Sequence, residues 1–437
     1  MIEPQDVAIQ SLGAASIESP LAATDASHHP YLVDDDQKIL VDDRMSGSAA
    51  PALTAGTAAL ELAGPRSRIY FNPASTTIAI VTCGGVCPGL NDVIRGLVME
   101  SYYRYGVRNI LGFRNGYRGC VGRHEQDTVA LDPALVSEIH EHGGTILGTS
   151  RGPEEPAAIV DNLVRQKVDI LYVIGGDGTM RGGLAIANEI DRRGLKIGIL
   201  GLPKTIDNDI QFMDKSFGFE TAFSKAVEAI YAAHTEARST PNGVGIVKLM
   251  GRHSGFIACY ASLATSHVNF TLIPEVPFQL SGDQGFLYAL QQRLKHRAHA
   301  VIVVAEGAGQ NLLSETSEQK DASGNVKLND IGSFLSQQIK THFGEHDEEV
   351  TLKYIDPSYI IRSVPATAAD SVFCWRLAQS AVHAAMAGKT EMVVGKWHGR
   401  FVHIPMHLTT STRKQVDPQG ELWASVLEST GQPVNLF

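Results

Sequence analysis

Apolar positions along this chain fall into two alternating patterns. Short runs rich in β-branched residues, at 78–82, 110–113, 145–148, 169–174, 197–201, 244–249, 270–273, 300–305 and 351–355, read as buried strands. Stretches with apolar residues three or four apart read as helices, at 91–104, 184–190, 220–236, 255–264, 285–294, 331–341 and 371–387. Two further strand candidates, 392–394 and 401–404, close the chain. Strands interleaved with helices imply crossover connections, so the pattern predicts an α/β protein with parallel sheets. There are too many strands for one sheet, and two α/β lobes with a cleft between them are expected.

Residues 1–65 break the pattern: they are rich in Ala, Ser, Pro and Asp, and are expected to form a partly ordered arm on the body or on a neighbouring subunit. The polar stretch 310–329 is expected to be a surface insertion. Length and composition (437 residues, 43% hydrophobic, 19% charged) suit two or three soluble globular domains. No apolar run approaches the roughly 18 residues of a membrane span. The acidic start MIEPQDVAIQ resembles neither a secretory signal nor a transit peptide, so a cytoplasmic location is expected. A net charge of −10 argues against a nucleic-acid binder but not against phosphate substrates, which local arginines can focus. The five cysteines, Cys83, Cys87, Cys120, Cys259 and Cys374, show no metal-type pairing and read as buried free thiols.

Candidate chemistry gathers where strands run into glycine. The run 169–174 feeds Gly175-Gly176-Asp177-Gly178-Thr179 and then a helix, an arrangement that turns bare backbone N–H groups and a helix N-terminus toward a phosphate. Asp177 would repel that phosphate unless a cation intervened, which points to Mg²⁺ on Asp177; the alternative is a sharp turn with an Asp cap. After the strand ending at Gly201 comes Pro203-Lys204-Thr205-Ile206-Asp207-Asn208-Asp209. Strand ends of open α/β sheets face the ligand crevice, and two carboxylates one residue apart suit a general base, with an Asx-turn as the alternative. Lys204 and Thr205 add a cation and a hydroxyl for a transferring phosphoryl group. The third strand–turn–helix junction, Met250-Gly251-Arg252-His253-Ser254-Gly255, places Arg252 where charge would develop. His253 reads as structural, with a base role as the lesser possibility.

GGVCPGLNDVIRG, GTSRG, GGDGT, PKTIDNDI, MGRHSG and the VVAEG at 303–307 occur together in an order and spacing that resemble the 6-phosphofructokinases, over about residues 65–400. RIYFNP at 68–73, the Lys of PKTIDND and PSYIIR at 357–362 resemble the plant and trypanosomatid ATP-dependent branch, itself related to the pyrophosphate-dependent enzymes. The resemblance implies two Rossmann-like three-layer α/β/α lobes with the active site in the cleft between them. The nucleotide-binding lobe would be 66–217 plus 367–437, and the sugar-phosphate-binding lobe 218–366. It implies that Gly85, Arg151, Gly176, Gly178 and Thr179 face the nucleotide phosphates, that Tyr117 lies near the adenine and that Asp177 holds Mg²⁺. Asp207 would take the proton of the 1-hydroxyl of fructose 6-phosphate beside Thr205, Lys204 and Asp209, and Arg252 would stabilise the transition state. Met250, Gly251 and Glu306 would hold the sugar; Tyr359 and Arg362 would reach the 6-phosphate.

Pyrophosphate-using relatives share Lys204 but carry a second Asp where this chain has Gly178. Glycine leaves room for the α-phosphate of ATP, so ATP is the expected donor and pyrophosphate the alternative. Bacterial members place an arginine nine residues before the MGR arginine; here that place is Gly243. The resemblance also implies a glycolytic, allosteric homotetramer, with a dimer as the smaller possibility. Lipid and NAD kinases share GGDGT but lack PKTIDND and MGRHSG. A non-catalytic sugar-phosphate-binding subunit would be expected to lack Asp177, Asp207 or Arg252, and all three are present.

Overall fold

The computed structural model describes residues 3–22, 31–43, 57–313 and 327–436. The expected insertion at 310–329 falls largely outside them, apart from a short 3₁₀ turn at Gln310–Leu312. The described chain forms two compact units. The first comprises Met1–Thr205, Ile210–Gly218 and Val364–Arg413; the second comprises Ile206–Asp209, Phe219–Ser363 and Lys414–Phe437. The segment from Lys414 onward therefore groups with the second unit and not with the first. Leu436 lies in that unit's core, Gln279 N donates to its carbonyl at 2.7 Å, and the Gln432 side chain accepts from Thr271 N at 2.7 Å.

The first unit is built on a nine-stranded sheet. Its order is Lys38–Leu40, Ala59–Leu62, Arg400–Pro405, Met392–Trp397, Gly198–Pro203, Ile170–Gly175, Thr77–Thr82, Asn109–Phe113 and Thr128–Ala130. The middle of the sheet is parallel, but its margins are not: the Arg400–Pro405, Ala59–Leu62 and Lys38–Leu40 strands, and Thr128–Ala130 at the other edge, pair antiparallel. The sheet is thus mixed, because hairpin-like returns of the N- and C-terminal segments extend the parallel centre. Thr77–Thr82, Ile170–Gly175 and Gly198–Pro203 are buried along their whole length, which explains their unbroken apolar runs. Helices Pro156–Arg165 and Asp177–Arg192 bury Ile159, Leu163, Met180, Ile186 and Ile190 in its core. Helix Leu90–Met99 packs on Ala368–Met386, closely enough that a Cβ on Gly96 would lie 2.7 Å from Ala378.

Segments of the first 65 residues join this body as strands. Gln10–Ser11 pairs with Lys389–Thr390, Ile17–Glu18 with Arg68–Ile69, and Ala59–Leu62 with Arg400–Pro405. The expected strand at 145–148 is instead a turn, with Gly148 N donating to Thr145 O. Its apolar character has another cause: Leu147 is buried against Gly112, where a Cβ would sit 2.4 Å from the leucine.

The second unit carries a four-stranded, all-parallel sheet in the order Phe270–Leu272, His299–Ala305, Gly243–Leu249, Thr351–Ile355. Val244, Ile246, Ile302 and Val304 pack against Leu287, Leu290 and Leu294 of helix Phe286–Arg297 and Leu335 and Ile339 of helix Ile331–Glu345. Gly243 heads a strand, and its Cβ would meet the Ala237 carbonyl oxygen at 2.0 Å. No side chain fits there, a steric reason for the absence of an arginine.

Candidate active site

In the first unit, strand Ile170–Gly175 ends on Gly175, whose Cβ would lie 2.1 Å from Thr179 Oγ1, so the turn closes only over glycine. Gly176 caps helix Asp177–Arg192 without a side chain, leaving Asp177 in its first turn. Gly178 differs from Gly175: a Cβ there meets nothing within 4 Å. Lys204 N donates to Gly175 O at 2.9 Å, and Lys204 Nζ donates to Gly85 O at 2.7 Å, so the lysine ties the GGDGT turn to the GGVCPG turn. Gly84 N donates to Ser150 O, and Thr149 Oγ1 to Gly84 O at 2.6 Å, which fixes the GTSRG loop carrying Arg151 beside them. Four motifs far apart in sequence meet here, three of them at the ends of parallel strands.

Tyr117, expected near the adenine, lies beneath the GGDGT turn. Its ring is buried, and its hydroxyl donates to Thr179 O at 2.7 Å. It packs where a Cβ on Gly182 would come within 2.5 Å, so it supports the start of the helix from beneath. Cys83, under the same turn, has its thiol pushed up to about 12 by burial and is not a nucleophile.

Asp177 carries the local charge. Arg181, one helical turn on, donates from Nη2 to Asp177 Oδ2 at 2.6 Å, and Arg413 Nη2 stands 3.6 Å from the same oxygen. Asp177 Oδ1 is buried and accepts no hydrogen bond. A carboxylate with one buried, unfilled oxygen at a phosphate-type turn fits a hard cation. Among the described residues no group of three or more His, Cys, Asp or Glu forms a metal cluster.

In the second unit, Asp207 and Asp209 sit in the short Ile206–Asp209 stretch. Ser254 Oγ donates to Asp207 O at 3.0 Å, and Lys414 N donates to Asp209 O at 2.9 Å. Asn208, between the two acids, has φ 54°, a left-handed bend that Asn tolerates better than most residues. The MGRHSG turn follows strand Gly243–Leu249. Gly251 has φ 131°, and a Cβ there would lie 2.5 Å from Ser254 O. The VVAEG turn is stitched to it: Glu306 N donates to Leu249 O at 2.8 Å and Gly307 N to Gly251 O at 3.1 Å. Burial raises the Glu306 carboxyl above the usual carboxylate range, against the pull of Arg252, Lys248 and Arg362. Met250, Gly251, Arg252 and Glu306 are thereby gathered at one end of one sheet.

Lys248 was not legible as a site residue. Its ammonium bridges Asp356 at 2.8 Å and Asp330 at 3.3 Å, and Tyr354 donates to Asp330 at 2.8 Å. Burial alone would lower Lys248, but the pairing with Asp356 outweighs it and raises it. Asp356 begins the turn that leads to Tyr359 and Arg362, where the guanidinium lies over the Tyr359 ring at 4.9 Å. Arg362 Nε is buried without a hydrogen-bond partner, whereas Tyr359 is 74% exposed. The available signal was a lone charged residue inside an otherwise apolar strand. Glu275 was likewise missed: its Oε1 accepts from Gly255 N and Val416 N, both at 2.9 Å, and so holds the end of the MGRHSG turn.

Glycine turns at the ends of parallel strands, with acidic and basic side chains gathered on them, define an α/β protein of the phosphate-binding class. The chain belongs to the phosphofructokinase family, whose model matches residues 77–385. It is 50% identical over 437 residues to an ATP-dependent 6-phosphofructokinase of Amycolatopsis methanolica, covering 98% of this chain and 95% of the relative. It is 48% identical over 373 residues to the Trypanosoma brucei brucei enzyme of the same description, covering 85% and 76%. The fold matches a pyrophosphate-dependent phosphofructokinase from Nitrosospira multiformis with TM-score 0.67 at 20% identity, covering 82% of this chain and 92% of that one. It also matches Pichia pastoris phosphofructokinase with TM-score 0.65 at 22% identity, covering 86% and 41%. Both sheets thus belong to the phosphofructokinase fold. Among the described residues no helix is long and apolar enough to cross a membrane.

Proposed function

We propose that this chain transfers the γ-phosphoryl group of ATP to the 1-hydroxyl of fructose 6-phosphate, giving fructose 1,6-bisphosphate and ADP in glycolysis. The observation that carries the donor is the open space at Gly178, beside Asp177 at the head of helix Asp177–Arg192. A nucleotide's α-phosphate needs that room, and a second carboxylate there would repel it. In this reading Gly85, Arg151, Gly176, Gly178 and Thr179 face the nucleotide, with Tyr117 supporting the loop. Asp207 takes the proton of the 1-hydroxyl, the freed oxygen bonds to the γ-phosphorus, and the bond from that phosphorus to the β–γ bridging oxygen breaks, releasing ADP. Thr205, Lys204 and Asp209 orient the reacting groups, and Arg252 meets the charge that grows on the phosphoryl oxygens. Met250, Gly251 and Glu306 hold the sugar, and Tyr359 and Arg362 take its 6-phosphate.

Mg²⁺ fits at Asp177, whose buried Oδ1 lacks a donor; when bound, it supplies charge neutralisation for the β- and γ-phosphates. A cytoplasmic homotetramer, with a dimer as the smaller possibility, and control by effectors belong to the same reading and rest on the family likeness. The test is phosphorus NMR of fructose 6-phosphate, ATP and Mg²⁺ with purified protein. Appearance of fructose 1,6-bisphosphate and ADP supports the reading; unchanged reactants, or ATP hydrolysis without sugar phosphorylation, contradict it.

A further inference from the structure

Three consecutive residues near the end of the chain lace together the two stretches that carry Asp207 and Arg252. Lys414 N donates to Asp209 O, Gln415 Nε2 to His253 O and Val416 N to Glu275 Oε1, each at 2.9 Å. The same Glu275 oxygen accepts at 2.9 Å from N of Gly255, the last residue of the MGRHSG turn and the N-cap of helix Phe256–Thr265. Ser254 Oγ closes the circuit by donating to Asp207 O at 3.0 Å. Only glycine permits this approach at 255: a Cβ there would lie 2.4 Å from Ile273 and 3.0 Å from Glu275 Oε2. All of these residues lie in the second unit. Glu275 Oε2 is buried and has no hydrogen-bond partner among the described residues. A buried carboxyl with one oxygen used twice and the other unused is a costly way to fill a core, so stability alone does not account for it.

We infer that Glu275 is a positioning residue: through Gly255 and the Lys414–Val416 segment it fixes where Arg252 stands relative to Asp207 during phosphoryl transfer. The inference rests on the reading above that these two residues carry the reaction. Arg252 sits within a turn that has two ends to secure. The sheet holds the first, where Glu306 N donates to Leu249 O at 2.8 Å. Glu275 holds the second, at Gly255, and ties it to the segment that also grips Asp209. An arginine that meets charge growing on a transferring group works only at the right distance, and a shift of about 1 Å costs up to about 10²-fold in rate. The alternative is a hydrogen bond that serves stability alone, whose loss would lower the melting temperature without singling out the step that Arg252 serves.

Initial rates of the full chain with fructose 6-phosphate, ATP and Mg²⁺ separate the two. Glu275→Ala is expected to lower kcat about 10–100-fold with KM for ATP unchanged, because the GGDGT and GGVCPG turns belong to the first unit. Glu275→Gln is expected to recover most of the loss, since its side-chain oxygen can accept from both N–H groups. Glu275→Ala combined with Arg252→Gln should be no slower than Arg252→Gln alone, as a residue acting through another adds nothing once that other is gone. Gln415→Ala, at an exposed side chain, should show a smaller fall in kcat of the same pattern, and it decides the matter if circular dichroism shows Glu275→Ala to be unfolded. Wild-type kcat in whichever of these two variants fold, independent losses in the double variant, or a matching rise in KM for ATP overturns this inference alone. A wild type that does not phosphorylate fructose 6-phosphate overturns the proposed reaction, and this inference with it.

Discussion

Asp207 and Gly178 are the residues on which the proposed chemistry turns. If Asp207 is the base, Asp207→Ala lowers kcat by about 10²–10⁴-fold with the circular dichroism spectrum unchanged. Retention of near-full kcat would remove Asp207 from the reaction. Gly251 is constrained by geometry: with φ 131° and Ser254 O 2.5 Å from a Cβ, Gly251→Ala must shift the MGRHSG turn. A raised KM for the sugar phosphate is expected, while wild-type kinetics would show that the turn accommodates the methyl. At this scale the sequence was informative wherever a residue was unusual for its position, as with an Asp among phosphate-binding glycines or paired acids after a strand. It was uninformative where an ordinary residue acts through a neighbour. Arg181 reads as a helix-surface arginine, and only the structure shows its contact with Asp177 Oδ2. The seat of Tyr117 was not legible either: Gly182 opens room for its ring, and its hydroxyl donates to Thr179 O.

Among elements, the turn from Asp356 to Arg362 is held at its start by Lys248, whose ammonium also reaches Asp330, the N-cap of helix Ile331–Glu345. Lys248→Met should free that turn and raise KM for fructose 6-phosphate about tenfold, with KM for ATP unchanged and recovery in Lys248→Arg. Equal changes in both KM values would mean a general loss of structure. The fully buried parallel strands were legible because their apolar runs end in glycine, and the helices because their apolar stripe persists over several turns. The 145–148 run was misleading because burial of Leu147 against Gly112 makes a turn look like a strand. The N-terminal strands were hidden for the opposite reason. Segments of two to four residues, such as Ile17–Glu18 and Ala59–Leu62, are too short to show a period, and their partners lie far along the chain.

At the scale of the molecule, buried charge ties the N-terminal strands to the first unit. Glu61 takes contacts from Arg66 at 2.9 Å, Lys389 at 3.1 Å and His403 at 2.9 Å, and Arg66 also holds Asp35 at 2.7 Å. Burial alone would raise Glu61, but the His403 hydrogen bond and the Lys389 ammonium outweigh it and hold the carboxyl well below its usual range. Nearby, burial pushes His383 down to about 3, with its Nδ1 2.9 Å from the Tyr105 hydroxyl. Both groups bind fewer protons folded than unfolded. The His383 contribution is complete above about pH 6.5 and declines as pH falls toward 3, and that of Glu61 declines below about pH 4.5. The melting temperature should therefore fall between pH 7 and pH 5, by the equivalent of about 2 kcal/mol from His383, and less in His383→Gln. Identical pH profiles would rule out this source of acid lability. The donor is read by initial rates with fructose 6-phosphate and Mg²⁺, supplied with ATP in one series and pyrophosphate in another. Turnover is expected with ATP alone, and is expected to be lost in Gly178→Asp, where the added side chain meets no steric obstacle and acts through its charge. Turnover of the wild type with pyrophosphate alone would contradict ATP as the donor.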